Sequence, residues 1–422
     1  MMDTISGFRH ESAGTESRKL VNRWALAIAI AMIPAWSFSF FDSSRGLPFA
    51  AITTVAILAV FMTTDRSSWL TLRWQSAAIL LPVFLLAASA FSFVFNPSVE
   101  GALLVAPMLG AVGLAVAVAA LSLEELRRYV ALPLLAMVAF QSLIIAVQAV
   151  TKAPTVLSTL SPKVLPLFTN GGVVRPQGLY DHSYEAAAVA VVAVALGFAL
   201  MPDSGRLRIA FLIGMASGAM TVALTYSRAA VLSLVLVCTV AAIAAARGRV
   251  PALWAGLAVV VVAFLVSLLF SSGGWTARVD ETLSTDLDRA TLGRVENLRQ
   301  GVEVAIDHPW VGVGPNRYLI VLENDYTKPG DPFGQVHNVP LQVAAELGIP
   351  AAIILAVLLL WVGAQAVRDG NRPLLLYAAL LPFLLFDVLL YVKLVGLLLV
   401  AVWAGALAVF HVSRMGEKAM TP

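Results

Sequence analysis

Arginine grips anions through a planar, permanently charged fork, and histidine can take up a proton near neutral pH. In this chain a few residues of both kinds stand apart from the other charges, next to long apolar runs. Arg175 lies in Arg175-Pro176-Gln177-Gly178-Leu179-Tyr180-Asp181-His182, which leads into an apolar run holding Glu185 near its start. Arg228 ends Tyr226-Ser227-Arg228, a very tight turn between two apolar runs. Arg294 and Arg299, with Arg289 one turn earlier, fall on a stretch where Leu292, Val295, Leu298, Val302 and Ile306 recur at helical spacing. His337 opens His337-Asn338-Val339-Pro340, where Asn338 can cap a helix and Pro340 is tolerated in its first turn.

Each of these has a plain reading beside the chemical one. Arg228 could snorkel at a membrane surface, and Arg294 could pair with nearby carboxylates. His337 could be an interfacial histidine or a general base, and His182 at the mouth of its own run is the rival base. Glu346 and Asp387 fall inside apolar runs, where a structural ion pair or a protonated acid is the simpler account. Asp286-Leu287-Asp288 has the Asp-x-Asp form of a metal site, but two aspartates ahead of a helix more often complement its dipole. No metal and no cofactor is expected.

The 422 residues are 59% hydrophobic and 13% charged, where a soluble domain carries roughly 25% charged residues. Apolar runs of about 20 residues recur throughout, each able to cross a hydrocarbon core about 30 Å thick. Twelve spans are expected near 23–41, 47–63, 75–95, 102–121, 129–150, 183–201, 208–225, 228–246, 250–270, 338–363, 373–391 and 393–411. With the N-terminus in the cytoplasm, every inward loop is basic: Arg66 and Arg73, Arg127 and Arg128, Arg206 and Arg208, Arg247 and Arg249, Arg368 and Arg372, then Arg414 and Lys418. This charge placement also accounts for the net charge of +3, so no nucleic-acid partner is inferred. The single cysteine, Cys238, excludes an internal disulfide.

The expected organisation is a cytoplasmic tail at 1–22, membrane helices 1–9 over 23–270 with an outward loop near 151–182, a long outward loop at 271–337, membrane helices 10–12 over 338–411, and a cytoplasmic tail at 412–422. Long ordered loops are uncommon unless functional, so function belongs on the outer face. The 271–337 loop holds six basic residues against ten acidic ones, which rules out a general basic patch and leaves selected arginines to build any anion site.

In this order, the pieces resemble the O-antigen ligase family, whose signature is shared with O-antigen polymerases and pilin oligosaccharide ligases. The resemblance runs from about Arg175 to Pro350. It rests on Arg175-x-x-Gly178, Ser227-Arg228, Gly293-Arg294, Gly312-Val313-Gly314-Pro315-Asn316, His337-Asn338-x-x-Leu341 and Ala345-Glu346-Leu347-Gly348. After His182 stands Ser183-Tyr184, where such proteins often carry a proline. The family implies an all-α polytopic, GT-C-like fold of about 12 transmembrane helices with a long periplasmic loop containing short helices, in the bacterial inner membrane. It also implies an undecaprenyl-diphosphate-linked O-antigen donor, a lipid A-core acceptor and metal-independent inverting transfer at the periplasmic face. On that reading His337 is the base, Arg228, Arg294 and Arg175 hold the diphosphate, and Asn338, His182, Tyr226 and Asn316 are supporting candidates. An O-antigen polymerase is the alternative within the enzyme class. A transporter or lipid-linked glycan flippase is the alternative outside it, although transporters tend to bind substrate at the midplane between related halves.

Overall fold

The computed structural model describes residues 21–31, 76–152, 168–170, 173–180, 182–248, 250–271, 273–276, 287–326, 334–386 and 394–420. The expected span at 47–63, most of that at 23–41, and Asp181, Asp286 and Asp387 lie outside them. Among the described residues eight helices are long and apolar enough to cross a membrane, and three apolar helices are shorter. The protein is an all-α, multi-pass membrane protein whose described strands are one antiparallel pair, β1 (Phe168–Asn170) and β2 (Val173–Arg175).

In chain order the helices are α1 (Val21–Ala31), α2 (Ala77–Phe95), α3 (Val99–Ala119), α4 (Leu123–Thr151), α5 (Ser183–Ala199), α6 (Gly205–Thr225), α7 (Arg228–Gly248) and α8 (Pro251–Leu269). There follow α9 (Leu287–Asp307), α10 (Tyr318–Val321), α11 (Val339–Leu347), α12 (Ile349–Asp369), α13 (Asn371–Phe386) and α14 (Leu394–Met420). The alanine- and valine-rich α5 is the central post. Its residues from Glu185 to Ala199 are buried, and it touches α4, α6, α7, α13 and α14. Small side chains let these backbones approach, and within a membrane such close packing holds helices together where no hydrophobic effect separates them from lipid.

Local signals account for the helix ends. Ser98 caps α3 by accepting the Gly101 N–H at 3.0 Å. Ser122 and Glu125 form a capping box that starts α4 at Leu123, ahead of the expected span at 129–150. The helix then passes through a π turn at Arg127–Ala131, just before Pro133, whose ring nitrogen has no hydrogen to give.

One expected span is divided. The helix anticipated over 338–363 is two helices, α11 and α12, separated at Gly348 with φ +96. A Cβ there would lie 2.3 Å from the Trp310 carbonyl oxygen, so only glycine fits. Pro350 then occupies the first turn of α12. The loop region has its own small core, in which Val304, Val313, Tyr318, Leu322 and Val336 pack against Ala344 and Ala345 of α11.

Candidate functional site

His337 stands just before Asn338, the cap of α11, and is half-buried, with φ +52, a left-handed backbone that a non-glycine residue adopts at a cost. Next to it, Asn338 accepts the Leu341 N–H at 2.9 Å and donates its own amide to the Leu385 carbonyl of α13 at 3.0 Å. The imidazole is thus carried on a capped helix end tied to a neighbouring span. Its Nδ1 is shielded from solvent and bonds to no described protein group. Burial, and secondarily the Arg294 guanidinium, hold its pKa down at about 4 instead of 6.5. Arg294, exposed on α9, therefore stands close enough for its charge to act on His337.

What fixes α11 against the loop is Glu346, which is buried. Its carboxylate accepts the backbone N–H of Asn316 at 2.7 Å and of Tyr318 at 3.4 Å, and the Gln342 side-chain amide at 2.7 Å. Backbone bonds from Val313 to Ala345, from Gly314 to Glu346 and from Ile349 to Pro309 zip the same two segments together. Gly312, with φ +65, lies where a Cβ would be 2.2 Å from the Glu346 carbonyl carbon. From the end of α2, Ser92 donates to the carbonyls of Val311 and Glu346, and Asn96 to that of Gly312. The Gly312–Asn316 segment and the Ala345–Gly348 segment are two halves of one joint, and Asn316 serves it through its backbone.

A second group forms where α6 turns into α7. Tyr226, with φ +54, makes the turn; its hydroxyl donates to the Ser271 carbonyl at 2.8 Å and its ring meets Trp275 edge-on at 5.6 Å. Trp275 in turn donates to the Ala223 carbonyl at 2.8 Å. Tyr226 is buried in this packing, whereas Arg228 projects, exposed, from the first position of α7. Arg175, at the end of β2, donates to the Thr225 carbonyl at 3.5 Å, so it rests against the same turn.

Two residues that sequence reading passed over hold Arg175 there. Gln148 of α4 accepts the N–H groups of Gln177 at 3.1 Å and Gly178 at 2.8 Å, and donates to the Gly178 carbonyl at 3.1 Å. Gln141, two turns earlier on the same face, accepts the Leu179 N–H at 2.9 Å. Two glutamines seven apart in an apolar span were the available signal. They explain Gly178 as well, since its φ is +66 and a Cβ would sit 2.5 Å from Gln141 Oε1.

His182 is the residue before α5 and stacks on Tyr184 at 5.0 Å. Short connections make successive spans alternate in direction, and α13 links the first two groups. Leu385, near its end, binds Asn338, and α13 packs along α7, whose first residue is Arg228. One turn below Arg228, Val231 begins an apolar groove between α7 and α8. It passes Leu234, Cys238, Phe264 and Leu265, and encloses about 460 Å³.

Residues 213–356 match the O-antigen ligase family model. The matched stretch holds the Arg228 turn, Arg294, the Glu346 joint and His337, and leaves Arg175 and His182 outside it. No curated protein matches the chain.

Proposed function

We propose, for a chain that belongs through residues 213–356 to the O-antigen ligase/polymerase family, that it is the ligase. It would move lipid-linked O-antigen from undecaprenyl diphosphate to a sugar of lipid A-core at the periplasmic face of the bacterial inner membrane, with both termini in the cytoplasm. The observation that most supports this reading is the packing of α9, which bears Arg294, on α11, with Gly301 against Val336 next to His337; the Arg294 charge acts on the imidazole.

The donor arrives activated, because diphosphate is a stable leaving group. The enzyme must bind about two negative charges and stabilise the charge that gathers as the glycosidic bond breaks. Arg294, Arg228 and Arg175 suit that task through paired N–H groups. The acceptor hydroxyl attacks the anomeric carbon from the face opposite the diphosphate. The new C–O bond forms as the old one breaks, the electron pair leaves on the diphosphate, and His337 takes the hydroxyl proton. Configuration at the anomeric carbon inverts, and the step needs no metal. A bound diphosphate also offsets the charge of Arg294, which raises the basicity of His337 when a base is needed. The groove that begins one turn below Arg228 offers an apolar path for the prenyl chain.

Lipopolysaccharide gels of a deletion strain test the proposal. Loss of a ligase leaves bare core, and the wild-type gene restores the ladder. General-base catalysis contributes roughly 10²–10⁴-fold, so His337→Ala should restore almost none of it. A deletion strain whose core carries a single repeat would instead identify a polymerase.

A further inference from the structure

The helix α9 has three faces, and only two of them are accounted for by protein and water. At about 100° per residue, Asn297, Gln300, Gly301, Val304 and Ala305 fall on one side, and all are buried against the rest of the chain. Tyr318 donates to the Asn297 carbonyl on this side, and Gly301 abuts Val336. A second face carries Glu296, Arg299, Glu303 and Asp307. Arg299 bonds to both Glu296 and Glu303, and Asp307 accepts the Tyr326 hydroxyl at 2.7 Å. These charges belong in water.

Between the two lies an arc of roughly 80° holding Val295, Leu298, Val302 and Ile306. They are 63%, 39%, 44% and 63% exposed, and Trp310 just past the helix end is 76% exposed. Scattered apolar side chains on a surface need no explanation, but a contiguous stripe beside a segregated charged face does.

The depth of this stripe follows from what α9 runs into. The Pro309 carbonyl accepts the N–H of Ile349, the first residue of the membrane helix α12, at 2.8 Å, and the Trp310 carbonyl packs on Gly348. Trp310 is therefore level with the start of a membrane span, where tryptophan concentrates in membrane proteins. Below it, α12 turns Ile353, Ile354, Val357 and Leu360 outward, as a lipid-facing helix does.

We propose that α9 is seated in the surface of the bilayer leaflet on the loop side, with Val295, Leu298, Val302, Ile306 and Trp310 in the boundary between headgroups and acyl chains. Its three faces then meet protein, water and lipid in turn. On the same wheel the exposed Arg294 falls between Gly301 and Ala305, at the lipid-side end of the protein-facing arc.

The test uses the full chain with Cys238→Ser and single cysteines introduced as Leu298→Cys, Val302→Cys, Ile306→Cys or Glu303→Cys. Each is spin-labelled and reconstituted in phosphatidylethanolamine–phosphatidylglycerol vesicles. Collision with oxygen, which concentrates in lipid, is compared with collision with a water-soluble nickel chelate. The expected result is an oxygen-to-nickel ratio several-fold higher at 298, 302 and 306 than at 303. Equal ratios at 302 and 303 would overturn the proposal by placing the stripe in water. Exclusion of both reagents from the stripe would overturn it equally, with a second copy or another segment of the chain as the cover.

Discussion

The Glu346 carboxylate accepts the backbone N–H of Asn316 at 2.7 Å, joining positions thirty apart in the chain. Because Glu346 is on α11 and His337 stands at the start of that helix, the bond ties the orientation of the imidazole to the loop that follows α9. The glutamate lies within an apolar sequence but is held by N–H donors, which makes it an acceptor built into a joint.

That joint predicts a graded series. In Glu346→Gln the amide oxygen can keep the Asn316 bond and Gln342 can turn its amide, so mainly the longer Tyr318 contact is lost. Glu346→Leu strands both N–H groups. A buried unsatisfied donor costs about 1–3 kcal/mol, so the leucine variant should denature at clearly lower temperature than the glutamine variant, and both below wild type. Equal melting of the leucine variant and the wild type in detergent would show that the joint does not stabilise the fold.

His337 supplies a pH prediction. With its pKa held at about 4, first by burial and then by Arg294, the imidazole of the free enzyme is neutral at pH 7. The acid limb of kcat/KM should therefore lie near that value. Arg294→Gln removes the second cause and keeps the first. Losing a nearby positive charge favours the protonated form, so the limb should move up yet stay below 6.5. For stability, the unfolded chain takes up the proton near 6.5 and the folded one not until about 4. The contribution of this group is complete above that window and is lost as pH falls through it. A limb that stays in place in Arg294→Gln would break the link between the two residues.

Arg228 and Arg294 should not tolerate lysine. Lysine keeps the charge and loses the fork, and a hydrogen bond to a charged group is worth about 1.5–3 kcal/mol. Roughly 10–100-fold should disappear from kcat/KM for a lipid-linked donor in either Arg228→Lys or Arg294→Lys. Near-normal transfer by either variant would remove that arginine from the diphosphate site.

How much of this was legible depends on the range of each signal. The cap at Asn338 acts three residues away and Pro340 restricts its own backbone, so both could be read locally, and the apolar runs fixed the class of protein. Glu346 looked like an isolated acid because two of its partners are the main-chain N–H groups of Asn316 and Tyr318, which no residue type reveals, although Gln342 one turn earlier on the same helix was a readable third. The break at Gly348 was readable, since glycine ahead of Ile349-Pro350 is a helix-start pattern, but a continuous apolar run concealed it. The helical spacing from Val295 to Ile306 marked α9 correctly, yet periodicity alone does not tell whether a stripe meets protein or lipid.

The segment that carries Arg175 offers the sharpest separation of support from chemistry. Gly178→Ala forces a Cβ toward Gln141 Oε1 at a backbone angle of φ +66, and Gln148→Leu removes the acceptor for two N–H groups and the donor for one carbonyl. Both changes should release the segment from α4 and let Arg175 drift from the Thr225 turn. If Arg175 grips the donor diphosphate before reaction, KM for the donor should rise while kcat stays near its starting value. Gln148→Glu keeps the two acceptor contacts and loses only the bond to the Gly178 carbonyl, so it should fall between wild type and the leucine variant. Steady-state transfer assays with purified variants decide the matter. An unchanged donor KM in Gln148→Leu would mean that Arg175 contributes nothing to donor binding and that its contact with Thr225 is structural.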